Sequence, residues 1–183
     1  MDLLPWARDL AEELLAERLP RRWAHSQGVG QLAEVIGDLV GDEGELLAAA
    51  AWLHDIGYVP ELAKTGMHQL DGARYLRDVA AADSRVCSLV AHHTCAGIEA
   101  GLRGLRGELE SEFPPVGGLP ADVLTYCDIS TTPDGELTNV KERLAEIFDR
   151  YAPGSIVFES MTEATPSILD SVARVSSLLA RGS

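Results

Sequence analysis

Residues 46–53, LLAAAAWL, are apolar on every side of a helix, and the run stops at His54-Asp55. A helix with no polar face has to be enclosed by protein, so a central helix over residues 43–54 is expected, with the other elements packed around it. The run is far too short to cross a bilayer, which takes about 20 residues. The His-Asp pair at its end is costly in such surroundings unless both groups are paired or coordinated. Taken alone, the dipeptide reads as well as a structural ion pair as it does as a functional one.

The remaining sequence is helical in pattern almost throughout. Asp2 as N-cap and Pro5 in a first turn open an amphipathic helix that ends before Pro20. A second helix is predicted over residues 22–40, closed by Gly41. Others follow over 66–81 and 84–95, the latter capped by Asp83-Ser84. Residues 97–120 are rich in Gly, Pro and Glu and read as a long loop or lid with one short helical piece. Helices resume over 121–129, 136–151 and 163–180. No strand-like alternation reaches a convincing length, so the fold expected is all-α, with one domain spanning 1–183. The terminal helices, 2–19 and 163–180, are amphipathic and either cap the core or form a homodimer interface.

Charge narrows the partners. Fifteen Lys and Arg against 29 Asp and Glu leave a net charge of −14. That balance disfavours a nucleic-acid polymer or an anionic membrane as the main partner. The N-terminus carries acids early and has no long apolar centre, unlike a signal peptide. The three cysteines, Cys87, Cys95 and Cys127, form no CxxC pair and read as reduced and mostly buried, in a cytoplasmic protein.

All five histidines lie between residues 25 and 93. His25 sits on the helix expected to pack against that of His54. His68 opens the next helix, His92-His93 lie on another, and Asp128 interrupts the mostly apolar VLTYCDIS. Each is a lone polar group on an apolar or helix-start background. Imidazoles together with carboxylates suit Fe, Mn or Zn better than Ca or Mg alone.

The segments RRWAHSQGV, AAAAWLHDIGY, GMHQLDGARYL, LVAHHT and LTYCDIS occur in this order between residues 21 and 130. This ordered H…HD…H…HH…D set resembles the HD superfamily of metal-dependent phosphohydrolases. The resemblance implies an all-helical HD-domain bundle with a central metal site, its core over about 21–130 and C-terminal helices 136–180 packed on it. It implies His25, His54, Asp55 and Asp128 as ligands of one divalent ion. His68 and His93 would add a second, with Asp55 bridging. Fe, Mn, Zn, Co or Ni are the ions expected, and Mg is also admitted. The implied activity is hydrolysis of a nucleotide or other small phosphate ester or anhydride through a metal-activated water. Asp55, His54 and His92 then stand at the catalytic centre, His92 as a neighbour of the ligands. Many members carry Lys where this chain has Tyr58, so Arg22, Lys64, Arg103 and Thr131 are the candidates for meeting the substrate. Thr132 and Asp134 read better as a turn. A di-iron oxygenase or a non-catalytic metal-binding sensor would use the same ligand set.

Overall fold

The computed structural model describes residues 2–182, which form ten α-helices and, among the described residues, no strand. They are α1 (Leu3–Leu15), α2 (Pro20–Ile36), α3 (Gly44–Leu53), α4 (His68–Asp78), α5 (Ser84–His92), α6 (Ala96–Arg103), α7 (Arg106–Glu112), α8 (Leu119–Ile129), α9 (Val140–Arg150) and α10 (Ile156–Gly182). Short 3₁₀ turns occupy Gly37–Glu43, Ile56–Tyr58 and His93–Cys95. An isolated bridge pairs Thr131 with Leu137.

The apolar run does become the central helix. Every residue of α3 from Leu47 to Leu53 is buried, and α1, α2, α5 and α8 pack around it. Its neighbour α1 offers Ala7, Ala11 and Leu15, a stripe at helical spacing that is fully buried. On α2, Gly30 lies under the Trp52 indole, where a Cβ would come within 2.5 Å of the ring. The indole N–H donates to Glu34 at 2.7 Å, and Arg8 pairs with the same carboxylate.

Residues 97–120 depart from expectation: α6 and α7 fill most of them. Leu109 and Phe113 are buried, and Leu105 packs against the same core, so this stretch has an apolar stripe of its own. Its carboxylates, which suggested a solvated loop, meet α4 instead, with Arg74 and Arg77 pairing with Glu108 and Glu112. Gly104 ends α6 in the left-handed region, at φ 73°.

Other boundaries shift by local chemistry. After Ile36, α2 gives way to the 3₁₀ segment around Gly41, and α3 starts only at Gly44. Asn139 caps α9 through the Lys141 and Glu142 amides, so that helix starts at Val140 and not at 136. Asp83 caps α5 through the Arg85 amide at 2.7 Å, whereas Asp2 makes no side-chain cap bond. The last helix is longer than expected, 27 residues with Pro166 inside. It is tied to α8 where Ser171 and Arg174 both donate to Asp122. Ala164 and Ile168 of α10 close a second apolar cluster with Ile129 and Ile147. No helix among the described residues is long and apolar enough to cross a membrane.

Candidate metal centre

The buried helix α3 ends at His54, whose Nδ1 donates back to the Ala51 carbonyl at 2.7 Å. Asp55 then leads the chain into the Ile56–Tyr58 turn. Gly57 follows because the backbone of α4 crosses directly over it. A Cβ there would lie 1.9 Å from the His68 carbonyl oxygen and 2.7 Å from the Gly72 nitrogen. This close approach sets His68, the first residue of α4, beside Asp55, with Nε2 3.4 Å from the carboxylate.

Helix α5 stops at His92 because His93 adopts extended backbone angles, and Thr94 and Cys95 follow at φ 47° and 63°. Two successive non-glycine residues in the left-handed region are held only where the surroundings dictate it. The result is that His93 faces the centre, its Nδ1 donating to the Val90 carbonyl at 2.6 Å. The Thr94 hydroxyl donates to Asp128, in the last turn of α8. The other Asp128 oxygen lies 3.1 Å from His25 Nε2, while His25 Nδ1 donates to the Thr132 carbonyl at 3.0 Å.

All six residues implied as ligands therefore meet in one place. Their ligand atoms fall into three overlapping groups, each within 4.8 Å: His25, His54 and Asp55; His54, His93 and Asp128; Asp55, His68 and His93. The hydrogen bonds also define the imidazoles. In His25, His54 and His93 the Nδ1 proton is committed to a backbone carbonyl, so the neutral ring carries its lone pair on Nε2. Those Nε2 atoms face one another across the centre. His54 Nε2 is buried with no hydrogen-bond partner, and His93 Nε2 lies 3.2 Å from His68 Nε2. Ring nitrogens converging in this way, with no hydrogen-bond partner for His54 Nε2, fit a shared cation. Nitrogens bound at about 2.1 Å on adjacent corners of a coordination shell are themselves separated by about 3 Å.

The electrostatics favour the ligating forms of His54, His68, Asp55 and Asp128. Burial holds the His54 imidazole down at about 4 and His68 well below its ordinary value. Burial pushes the Asp55 carboxyl up, but Arg22 and the surrounding histidines outweigh it and hold it well below the carboxylate range. Burial likewise opposes Asp128, yet the His25 hydrogen bond and the neighbouring imidazoles keep it low. For His25, burial lowers the value and Asp128 more than restores it, so the net shift is upward.

These shifts set a pH dependence for the metal-free protein. His54 and His68 are neutral in the fold and bind protons on unfolding once pH falls below about 6.5. Folded values beneath the unfolded one mean that stability is full above about 6.5 and is lost as pH drops toward 4. His25 acts in the opposite sense. In excess chelator, the thermal midpoint is expected to fall by several degrees from pH 7 to pH 5. A flat or rising midpoint contradicts this balance.

The four substrate candidates fare unequally. Arg22 lines the cavity above the centre, donates to Asp55 at 2.7 Å, and places its guanidinium 3.6 Å over the Tyr58 ring. Tyr58 stacks on His68 with centroids 3.9 Å apart. Lys64 instead is exposed and bound through its backbone amide to Asp71. Arg103 pairs with Glu99 at 2.7 Å and does not line the cavity. Thr131 is fully buried and donates to the Cys127 carbonyl at 2.8 Å, so it cannot reach a substrate. Thr132 does shape a turn, accepting from the Asp134 and Glu136 amides.

His92 is also displaced from its expected role. The helix ends between the two histidines, so their side chains diverge, and His92 Nε2 donates to the Phe113 carbonyl at 2.7 Å, away from the cluster. His92→Ala is expected to retain its bound metal within about twofold, read by elemental analysis, because no ligand depends on it. Loss of the metal would return His92 to the centre.

Thr94, from the LVAHHT segment, lines the cavity, and several residues around it carry no motif: Glu99, Arg143, Arg150 and Tyr151 line it together with Ile147, Val157, Met161 and Ala164. Only Arg143, Ile147 and Arg150 left a trace, since their spacing puts them on one face of α9.

In comparisons with known proteins, residues 22–154 match the family described as HD domain. No curated protein and no solved structure matches the chain.

Proposed function

Given that the chain belongs to the HD-domain family, we propose that it is a metal-dependent phosphohydrolase acting on a nucleotide or other small phosphate ester or anhydride. The observation that carries this reading is the convergence of six His and Asp residues, five of them lining a cavity together with three arginines and the sixth, His54, buried with no hydrogen-bond partner on Nε2. His25, His54, Asp55 and Asp128 would hold one ion, and His68 and His93 a second that shares Asp55. A divalent transition metal bound there supplies Lewis acidity toward a phosphoryl oxygen and makes a neighbouring water acidic enough to react near neutral pH.

The chain's own groups do the rest. Arg22 fixes the Asp55 carboxylate and leaves its flat guanidinium at the cavity, where it can meet a phosphate oxygen. Thr94 and His25 hold Asp128 from two sides. The carbonyls of Ala51, Val90 and Thr132 orient three imidazoles, a role that outer partners commonly play at metal sites. The bound cations would offset the repulsion between an acidic protein and an anionic substrate. Three free cysteines fit a reducing, cytoplasmic setting.

The test is elemental analysis of the purified protein, followed by phosphate release from nucleotides and simple phosphate esters with Mn, Fe, Co, Ni, Zn and Mg. Metal-dependent release is expected. Turnover that needs dioxygen and iron would replace this reading by an oxygenase. Bound metal with no turnover on any substrate would replace it by a sensor.

A further inference from the structure

A second cavity adjoins the metal centre, and four of the six residues lining it are arginines: Arg21, Arg22, Arg143 and Arg150, with His25 and Pro133 completing it. Arg22, Arg143, Arg150 and His25 line the first cavity as well. The two spaces therefore share a wall of guanidinium groups. In a chain of net charge −14, this is a local reversal of sign directly beside the centre.

The wall is only partly neutralised from within. Arg21 pairs with Asp134 at 2.9 Å, and Arg22 with Asp55 at 2.7 Å. Arg143 and Arg150 share a single carboxylate, Glu146. Arg143 is only 7% exposed, and its Nε is buried with no hydrogen-bond partner. A buried guanidinium donor without an acceptor is unfavourable unless something else supplies that acceptor. Its side chain lines both cavities, so a ligand there is the available source. Planar forks of this kind match phosphate oxygens two at a time.

We propose that this arginine wall is an anion subsite for a second phosphate group, so that the substrate is an organic polyphosphate. One phosphate lies over the His and Asp cluster, and the next lies against Arg21, Arg143 and Arg150. The organic part faces the apolar side of the first cavity, at Ile147, Val157, Met161 and Ala164. A monophosphate would leave the Arg143 fork unfilled. The assignment of substrate class rests on the phosphohydrolase reading above. The subsite itself rests only on the arginines.

The test is calorimetric titration of inorganic tripolyphosphate and of orthophosphate into the metal-loaded protein and into protein kept in chelator. The wild type is expected to prefer tripolyphosphate by roughly tenfold or more. Arg21 and Arg150 are exposed, so Arg21→Gln and Arg150→Gln keep the fold, and each is expected to cut that preference by roughly three- to tenfold. Arg174, which pairs with Asp122 outside both cavities, serves as a control, and Arg174→Gln should leave the preference intact. No preference in the wild type, or one unchanged in Arg21→Gln and Arg150→Gln, overturns the subsite. Arginine-dependent tripolyphosphate binding that persists in chelator, in a protein that releases no phosphate from any substrate, upholds the subsite and sinks the hydrolase reading. Metal-dependent release with no arginine-dependent preference does the reverse.

Discussion

Asp55→Ala is expected to abolish both metal binding and phosphate release. Asp55 belongs to two of the three ligand groups, lying 3.5 Å from His54 Nε2 and 3.4 Å from His68 Nε2. Its removal takes a ligand from each and leaves Arg22 beside the cluster as an uncompensated cation. The repulsion between that guanidinium and an incoming metal ion compounds the loss. Bound metal should drop to about a tenth or less of the wild-type content, and phosphate release by about 10³-fold or more. Asp55→Asn keeps the shape and the Arg22 contact but lacks the charge, and should fail almost as badly. Circular dichroism on both variants separates loss of the site from loss of the fold. Full activity in a folded Asp55→Ala protein would remove the centre from the mechanism.

Gly57→Ala is expected to have the largest effect on the fold. The added methyl group would meet the His68 carbonyl at 1.9 Å and the Gly72 nitrogen at 2.7 Å, both of them backbone atoms of α4. No rotamer change can relieve such a contact, so α4 must move off the turn. That shift also withdraws His68 from Asp55 and separates Tyr58 from His68. A destabilisation of about 3 kcal/mol or more is expected, at the upper end for a single overpacked methyl group. Urea unfolding read by circular dichroism measures it, and the folded fraction should bind less metal. Gly97→Ala, where a Cβ meets nothing within 4 Å, is the matched control and should change stability little. An unaltered urea midpoint in Gly57→Ala would mean that the approach of α4 to the turn is not what places His68.

The readability of the chain followed the range of the forces involved. The central helix was legible because eight apolar residues in succession leave only a buried position for it. The ligand types and their order were legible because a lone imidazole or carboxylate on an apolar background needs a partner. The helices within residues 97–120 are not legible in sequence, because the carboxylates of α7 look solvated there. Their partners, Arg74 and Arg77, lie more than 30 residues away on α4. His92 and His93 could not be told apart by type, and the end of α5 between them, where His93 turns to extended backbone, separates them. Arg143 and Arg150 carried no motif, and only the packing of α9 brings them to the cavity that α2, α4 and α8 line.

By itself the sequence determined that this chain is helical, that its core forms around residues 46–53, and that His25, His54, Asp55, His68, Asp128 and the His92-His93 pair need partners in one another or in a metal. These are consequences of local periodicity and of the cost of burying polar groups, and both act residue by residue. The tertiary structure alone decided that Arg22 pairs with Asp55, that Thr131 and His92 turn away, and that four arginines from α2 and α9 form one wall. Except for the local bond from Thr131 to Cys127, those outcomes depend on which surfaces meet at distances of a few ångströms across gaps that run from 21 residues to more than 100. No window of sequence contains them, because Coulomb and hydrogen-bond energies are set by separation in space and not along the chain.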